Sequence, residues 1–274
     1  MIKLVSEIGI NANGDLNLAK NLIRMSKVAG CDYVKFQKRT IEKVYTKEEL
    51  DRPRESPWGT TNRQQKMGLE FSAADYLEID IFCKDTQILW FASPWDIDSV
   101  DFLASMNIPY IKIASACLTD FRILEHIKTS EIPVILSTGM STKKEVDNAV
   151  EYLGGQIEYI LACCSTYPYK AEESKLNMIH ILKEYFPKYK IGYSNHSPGL
   201  TFCIAAAALG AEMIEFHVTL DRSMYGSDQS ASIETPGVIS LVKHIRDIEK
   251  SGLNNNEWLI YNTELKIKEK LRKK

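Results

Sequence analysis

Two lysines lie inside short apolar segments of the sequence, where a charged side chain is unexpected. Lys35 stands in the run Tyr-Val-Lys-Phe, and Lys112 stands in Tyr-Ile-Lys-Ile-Ala. An ammonium group in such a segment is costly to bury unless an anion lies beside it. One interpretation is an internal ion pair with Glu7. The other is that both ammonium groups, with nearby hydroxyl groups, bind a phosphate or a carboxylate.

Two histidines form a second group that could carry chemistry. His196 and His217 follow apolar segments and lie near acidic residues, Glu7 and Asp228. Imidazole and carboxylate groups are common ligands of divalent metals. The pair therefore predicts a metal site open to substrate, although each histidine alone is more typical of a buried structural residue. Asp228 is consistent with a general acid or base, with a ligand for a substrate hydroxyl, or with a turn beside Gly226.

These residues need a scaffold that brings them together, and the rhythm of the chain predicts one. Short apolar segments alternate with segments of helical periodicity, which favours an α/β fold with a parallel sheet. Eight such units in about 250 residues match a single-domain (β/α)8 TIM barrel. An open doubly wound sheet would usually carry a glycine-rich phosphate loop after the first strand, and residues 7–11 are not one. The predicted strands are 4–10, 33–36, 88–92, 110–114, 134–136, 159–163, 191–193 and 213–218, and the predicted helices are 16–29, 73–85, 97–106, 119–129, 142–153, 174–186, 199–209 and 236–251.

In a barrel of this kind, the loops that follow the strands meet at one end and form the active site. Every predicted strand ends in polar residues, so we expect them to converge there. The candidates are Glu7 and Asn11; Lys35 and Gln37; Ser93; Lys112 and Ser115; Ser137 and Thr138; Ser165 and Tyr167; Ser194, Asn195 and His196; and His217.

Two parts of the chain fall outside the repeating pattern. The long connection 38–71 is predicted to be a lid or a substrate-binding loop. The barrel is predicted to occupy residues 1–252, followed by a basic C-terminal tail or helix over 253–274 that includes a run of asparagines at 254–256.

Composition excludes several classes of protein. Thirty-four Lys and Arg residues against 36 Asp and Glu residues leave a net charge of −2 over 274 residues, so no global attraction to nucleic acid or an anionic membrane is expected. Neither a membrane-spanning run nor a signal peptide is apparent, which favours a cytoplasmic location. The six cysteines lack C-x-x-C spacing and are expected to be small buried thiols.

The candidate residues also lie in motifs that resemble one enzyme family. The chain is similar to the catalytic barrel of the N-acetylneuraminate (sialic acid) synthase family, with its legionaminic and pseudaminic acid relatives. We expect a catalytic barrel only, without the C-terminal antifreeze-like domain usual in that family. The matching stretches span about residues 3–250 in the family's order. They are SEIGINANGD (6–15), DYVKFQ (32–37), SPWDIDSVDFL (93–103), IPYIKIASACLT (108–119), PVILSTGMST (133–142), CSTYP (164–168), IGYSNHSPG (191–199) and IEFHVTLDRSMYGSDQSAS (214–232).

The resemblance implies a metal-dependent transferase that condenses phosphoenolpyruvate with an open-chain amino sugar, N-acetylmannosamine or a 2,4-diacetamido hexose. The product would be a sialic-acid-like nonulosonic acid for surface polysaccharide biosynthesis. It also implies a homodimer and a divalent metal, usually manganese, with magnesium or cobalt possible, on His196 and His217. The phosphoenolpyruvate contacts carry over to Lys35, Ser93, Lys112, Ser115, Ser137, Ser165, Tyr167 and Ser194, and the sugar contacts to Glu7, Gln37 and Asp228, with Glu7, Lys35, Lys112 and Asp228 as catalytic residues.

The sequence departs from the family pattern at Ala12, Asn195, Phe216 and Gln229. These departures predict an altered acceptor-sugar half of the site. Two alternatives stay open. One is a different condensation of phosphoenolpyruvate with an aldose, of the 3-deoxy-ulosonate type, since such enzymes also use lysine-lined barrel sites. The other, which the departures at Ala12 and Phe216 motivate, is a non-catalytic barrel subunit that needs a separate partner domain.

Overall fold

Eight parallel strands close into a barrel in the computed structural model, which describes residues 1–252 and 258–272. Each strand pairs with the next along the chain, and the first pairs with the last, with Glu7 beside His217 in the register. The predicted (β/α)8 fold is confirmed. The strands are β1 (Lys3–Glu7), β2 (Tyr33–Lys38), β3 (Leu89–Pro94), β4 (Ile111–Ile113), β5 (Val134–Ser137), β6 (Ile157–Cys163), β7 (Lys190–Asn195) and β8 (Met213–Thr219).

A helix follows each strand and packs on the outside of the barrel, and most of these helices are amphipathic. Side-chain caps fix where several of them begin, as when Thr142 and Glu145 form a capping box at the start of the fifth helix. The helices agree with the prediction to within about four residues. They are α1 (Leu16–Ala29), α2 (Ala73–Asp85), α3 (Ile97–Ala104), α4 (Phe121–Ser130), α5 (Lys143–Leu153), α6 (Met178–Tyr185), α7 (Thr201–Ala208) and α8 (Thr235–Lys250).

Strand alternation decides which side chains enter the barrel. Neighbouring residues of a strand point to opposite faces, so Lys35 lines the interior while Phe36 packs edge-on against Tyr76 and Trp90 in the outer layer. The first strand ends three residues before its predicted end. Gly9 has a φ of +48° there, and the chain turns back on itself.

The long connection after β2 is folded, whereas the sequence predicted only a loop. It contains the short helices Ile41–Val44, Lys47–Leu50 and Asn62–Leu69 and an antiparallel hairpin of Pro53–Ser56 with Gly59–Thr61. Trp58, at the hairpin tip, meets Tyr225 edge to face with 5.5 Å between ring centroids. The connection is therefore anchored to the loop that follows β8, beside the open end of the barrel.

The C-terminal part ends in a helix over Asn262–Leu271, whose side chains are exposed. Residues 253–257 lie outside the described residues. The predicted barrel boundary at 252–253 adjoins this segment, and the asparagine run at 254–256 falls within it. The barrel sheet contains a ninth strand that was not predicted. This short strand, Ile233–Glu234, pairs with β8. Across the described ranges, no helix is long and apolar enough to cross a membrane.

Candidate active site

The C-terminal ends of the barrel strands surround a cavity of about 140 Å³. The residues that the family resemblance assigns to the site all line it except Asp228, which lies at its edge, with its Oδ2 3.7 Å from Nδ1 of His217. The lining residues that were predicted are Glu7, Lys35, Gln37, Ser93, Lys112, Ser115, Ser137, Ser165, Tyr167, Ser194, His196 and His217.

A chain of alternating charges crosses the floor of this cavity. The Lys35 ammonium lies 3.0 Å from Oε2 of Glu7 and 3.7 Å from Oε1 of Glu215, and the Lys112 ammonium lies 3.5 Å from that same Glu215 oxygen. All four side chains are almost completely buried. The two interpretations of the lysines are thus compatible, because Lys35 pairs with Glu7 and both ammonium groups also face the cavity.

The four charges are unequally balanced. Burial lowers the pKa of each lysine, but attraction to Glu215 and Glu7 outweighs burial at Lys35 and raises its pKa. At Lys112 burial prevails and the pKa stays below its ordinary value, despite attraction to Glu215. Of the two lysines, Lys112 is therefore the one whose charge the protein neutralises less, and its ammonium group can pair with an anionic ligand.

The two glutamates are shifted in opposite directions. Burial raises the pKa of Glu7 to about 7, assisted by repulsion from Glu215 and opposed by Lys35. Burial also acts on Glu215, but attraction to Lys112 and Lys35 outweighs it and lowers the pKa to about 2. Near neutral pH, Glu215 is a fixed anion, whereas Glu7 exchanges a proton readily.

Sequence reasoning missed Glu215, although the signal was the one that revealed the lysines. It is a charged residue in the apolar segment Met-Ile-Glu-Phe. Cys163 was expected to be an inert buried thiol; it is buried, yet it also lines the cavity. Burial raises the pKa of this thiol, but attraction to His196 and Lys112 outweighs burial and lowers it to about 6.

Serine hydroxyl groups converge on one side of the cavity. The backbone N–H of Gly139 donates to Oγ of Ser115 at 3.0 Å. A Cβ on Gly139 would lie 2.2 Å from Oγ of Ser165 and 2.6 Å from that of Ser115, so a side chain there would displace both hydroxyl groups. The Oγ of Ser137 is buried without a hydrogen-bond partner, and Ser194 donates to Glu215 at 3.1 Å. Such hydroxyl groups beside two ammonium groups suit a phosphate or carboxylate.

The two histidine rings lie side by side, with 5.2 Å between their centroids. Nδ1–H of His196 donates to the carbonyl oxygen of Cys164, and Nε2, which carries a lone pair when the ring is neutral, faces the Tyr167 hydroxyl at 2.8 Å. Burial lowers the pKa of His217 well below its ordinary value, so its ring is neutral, and its buried Nδ1 has no hydrogen-bond partner.

This arrangement fits a divalent metal held by two histidines. A ligating histidine normally anchors its other ring nitrogen to a carbonyl or carboxylate, as His196 does, and the orphaned Nδ1 of His217 is a buried polar atom that a ligand would satisfy. No cluster of three or more His, Cys, Asp or Glu side chains in metal-binding geometry occurs among residues 1–252 and 258–272. Water or substrate would have to complete the coordination.

Two acids and an amide form a further group of polar side chains at the site. Gln37 donates to Oε1 of Glu7 at 2.9 Å, and Ser227 donates to Asp228 at 2.8 Å. Burial raises the pKa of Asp228, although Ser227 and the positive charge of His196 oppose it. These groups can accept hydrogen bonds from a polyhydroxylated molecule bound at the site.

Several polar residues at strand ends serve the scaffold instead. Asn11 donates to the carbonyl of Val218 and to Ser232, Thr138 donates to the carbonyl of Leu161, and Asn195 donates to the carbonyl of Ser197. None of these three lines the cavity. The same holds for the four departures from the family pattern, Ala12, Asn195, Phe216 and Gln229, all of them buried.

Comparisons with known proteins agree with this geometry. The model of the NeuB family matches residues 22–256. Human N-acetylneuraminate-9-phosphate synthase is 38% identical over 253 residues, which are 90% of this chain and 70% of that protein. N,N'-diacetyllegionaminic acid synthase of Campylobacter jejuni is 34% identical over 256 residues, covering 90% of this chain and 76% of that protein. The crystal structure of a sialic acid synthetase from Leptospira borgpetersenii serovar Hardjo-bovis in complex with citrate superposes with a TM-score of 0.85 at 28% identity, covering 100% of this chain and 93% of that one.

Proposed function

The chain belongs to the NeuB family, and from that premise we propose that it condenses phosphoenolpyruvate with an open-chain amino sugar. The products are a sialic-acid-like nonulosonic acid and inorganic phosphate. The observation that carries this proposal is the convergence in one cavity of two buried lysines, a set of serine hydroxyl groups and two adjacent histidines. The names of the relatives support it, since they are synthases of N-acetylneuraminate 9-phosphate and diacetyllegionaminic acid.

Phosphoenolpyruvate brings a phosphate and a carboxylate, and the cavity offers two ammonium groups to receive them. Of the two lysines, Lys112 should contribute more to binding the anion, because the protein neutralises its charge less. Hydroxyl donors surround both lysines and orient the bound anion. The proposed contacts are Lys35, Ser93, Lys112, Ser115, Ser137, Ser165, Tyr167 and Ser194.

In the reaction, C3 of phosphoenolpyruvate forms a bond to the aldehyde carbon of the sugar. Water then adds at C2, and the C2–O bond to phosphate breaks, leaving an α-keto acid. His196 and His217 would hold the divalent metal, manganese first and magnesium or cobalt as alternatives, which as a Lewis acid polarises the sugar aldehyde. Lys35 and Lys112 hold the anion and offset the charge that develops on it.

Proton transfer falls to Glu7, with Asp228 and Gln37 orienting the sugar. A carboxyl group with a pKa near 7 can give or take a proton at physiological pH. Glu7 takes a proton from the water that adds at C2, and Lys35, 3.0 Å away, stabilises the charge that Glu7 carries in its ionised form.

We further propose that the protein is a cytoplasmic homodimer. Trp258 is 99% exposed and is followed by the apolar residues Leu259 and Ile260. A second copy that covered this run would remove apolar surface from water. Light scattering on the purified chain tests the dimer, and a monomeric mass would contradict it.

The catalytic proposal is tested by measuring phosphate released from phosphoenolpyruvate in the presence of Mn²⁺. The acceptors are N-acetylmannosamine, its 6-phosphate and 2,4-diacetamido hexoses, with glucose as the control aldose. Release that depends on one amino sugar supports the proposal and identifies the acceptor. Binding of phosphoenolpyruvate without release in any mixture would instead favour a non-catalytic subunit.

A further inference from the structure

A second cavity, of about 180 Å³, lies outside the barrel between α5 and α6. Its walls are mainly apolar and include Val146 of α5 together with Met178, Ile181 and Leu182 of α6. The reaction proposed above uses none of these four side chains. The cavity therefore has no role in the site described so far.

The turn that follows β5 separates this cavity from the candidate active site. Ser137 and Met140 line the active-site cavity, whereas Thr138 and Ser141 line the second one. Cys163, at the end of β6, lines both. The two cavities are thus distinct neighbours that share one thiol and the two sides of one turn.

The lining of the second cavity indicates what it would bind. The Thr138 hydroxyl already donates to the carbonyl of Leu161 at 3.0 Å, and that of Ser141 donates to the carbonyl of Gly139 at 3.1 Å. Since these donors are engaged, the inside of the cavity favours an apolar group. An engineered apolar cavity of about 150 Å³ binds benzene, so this one has room for a single aromatic ring with a short substituent.

Two lysines at the mouth of the cavity specify the charge of that substituent. Lys175 is exposed and makes no ion pair within the part of the chain that the structure describes. The Lys143 ammonium pairs with Asp147 at 2.7 Å and lies 4.6 Å from the centroid of the Tyr185 ring, which also lines the cavity. The ion pair is partly exposed, and such a surface pair is weak and easily rearranged. Both ammonium groups are therefore available to a carboxylate at the entrance.

We propose that this cavity is a second ligand site, which takes a small aromatic carboxylate. The ring lies against Val146, Met178 and Leu182, and the carboxylate lies between Lys143 and Lys175. A bound molecule would contact Cys163 and the outer side of the turn whose inner side forms part of the active-site cavity.

Calorimetric titration of the full chain with phenylacetate tests the site, with neutral phenylacetamide as the matched probe. Val146→Phe fills the cavity and should weaken the binding of both probes at least tenfold. If that variant unfolds, Met178→Phe should have the same effect on binding. Lys143→Gln combined with Lys175→Gln should weaken phenylacetate at least threefold and leave phenylacetamide unchanged. Lys144→Gln, an exposed neighbour outside the cavity, is the control and should change neither.

Three results would overturn the proposal. The first is the absence of saturable binding, and the second is binding that survives both filling variants. The third is competition of phenylacetate with phosphoenolpyruvate that the filling variants leave unchanged. That competition would place the probe in the active-site cavity. Because the titration requires no turnover, its failure is independent of any failure of the proposed reaction.

Discussion

Lys112→Met separates binding from stability more clearly than any other single change in the site. Methionine keeps the length and the apolar stem of lysine but removes the ammonium group. One ion pair at about 4 Å in surroundings of effective dielectric near 20 is worth roughly 4 kcal/mol. Some of this is offset by the desolvation of the partners, so a loss of roughly 2–4 kcal/mol is expected. Phosphoenolpyruvate should therefore bind about 30- to 1,000-fold more weakly.

The stability of the same variant should change little. Burial lowers the pKa of Lys112, which means that its charged form is unfavourable in the folded protein. Glu215 would keep Lys35 at 3.7 Å and the hydroxyl of Ser194 at 3.1 Å as partners. The free energy of unfolding should stay within about 1 kcal/mol of the parent or rise.

Calorimetric titration with phosphoenolpyruvate and urea unfolding measure the two quantities, and Lys144→Met is the surface control. Lys35→Met should lose affinity and stability together, because Lys35 neutralises both buried glutamates. The reasoning fails if Lys112→Met binds phosphoenolpyruvate within threefold of the parent. It also fails if that variant loses more than about 3 kcal/mol of stability, since Lys112 would then be a structural ion-pair partner.

Three further predictions concern the other buried charges and the histidines. Glu215→Gln should lower the free energy of unfolding at pH 7 by roughly 3 kcal/mol, because a carboxylate with a pKa of about 2 in the folded protein stabilises the fold above pH 4.5. This stabilisation is lost as the pH falls toward 2. An unchanged urea midpoint at pH 7 would argue against the prediction. Glu7 has a pKa of about 7 in the folded protein, so between pH 4.5 and 7 the folded protein keeps a proton that the unfolded chain has released. The free energy of unfolding should therefore fall as the pH rises through that window. Glu7→Gln should remove this slope, and equal slopes in urea titrations of both proteins would be inconsistent with the shift. His217→Ala should abolish metal-dependent phosphate release while circular dichroism stays unchanged, whereas His244→Ala, exposed on α8, should be silent; activity that persists after exhaustive chelation would exclude the metal.

The fold could be predicted from the sequence because its information is local. Apolar strands that alternate with segments of helical periodicity specify the barrel, and caps such as the pair of Thr142 and Glu145 fix helix ends within a few residues. The folded connection after β2 could not be predicted in this way. Its hairpin is stabilised by the distant contact between Trp58 and Tyr225, which no local pattern encodes.

The candidate site was predictable in part for a similar reason. Lys35 and Lys112 were identified as charged residues inside apolar segments. Polar residues at strand ends must gather at one end of a barrel, which identified residues such as Ser93 and Ser194. Which strand ends point into the cavity depends on alternation and register. For that reason Thr138 faces the second cavity. Along β8, Glu215 and His217 point into the active-site cavity, whereas Phe216, the residue between them in the sequence, points to the outer layer.

The formation of a carbon–carbon bond is the central claim, and carbon-13 NMR tests it directly. Phosphoenolpyruvate labelled at C3 is incubated with the chain, Mn²⁺ and the amino sugars named above. We predict that the vinyl signal of the label gives way to the signal of a methylene carbon bonded to a sugar carbon, in step with phosphate release. A label that stays in phosphoenolpyruvate with every acceptor, or that appears only as the methyl group of pyruvate, would contradict the account.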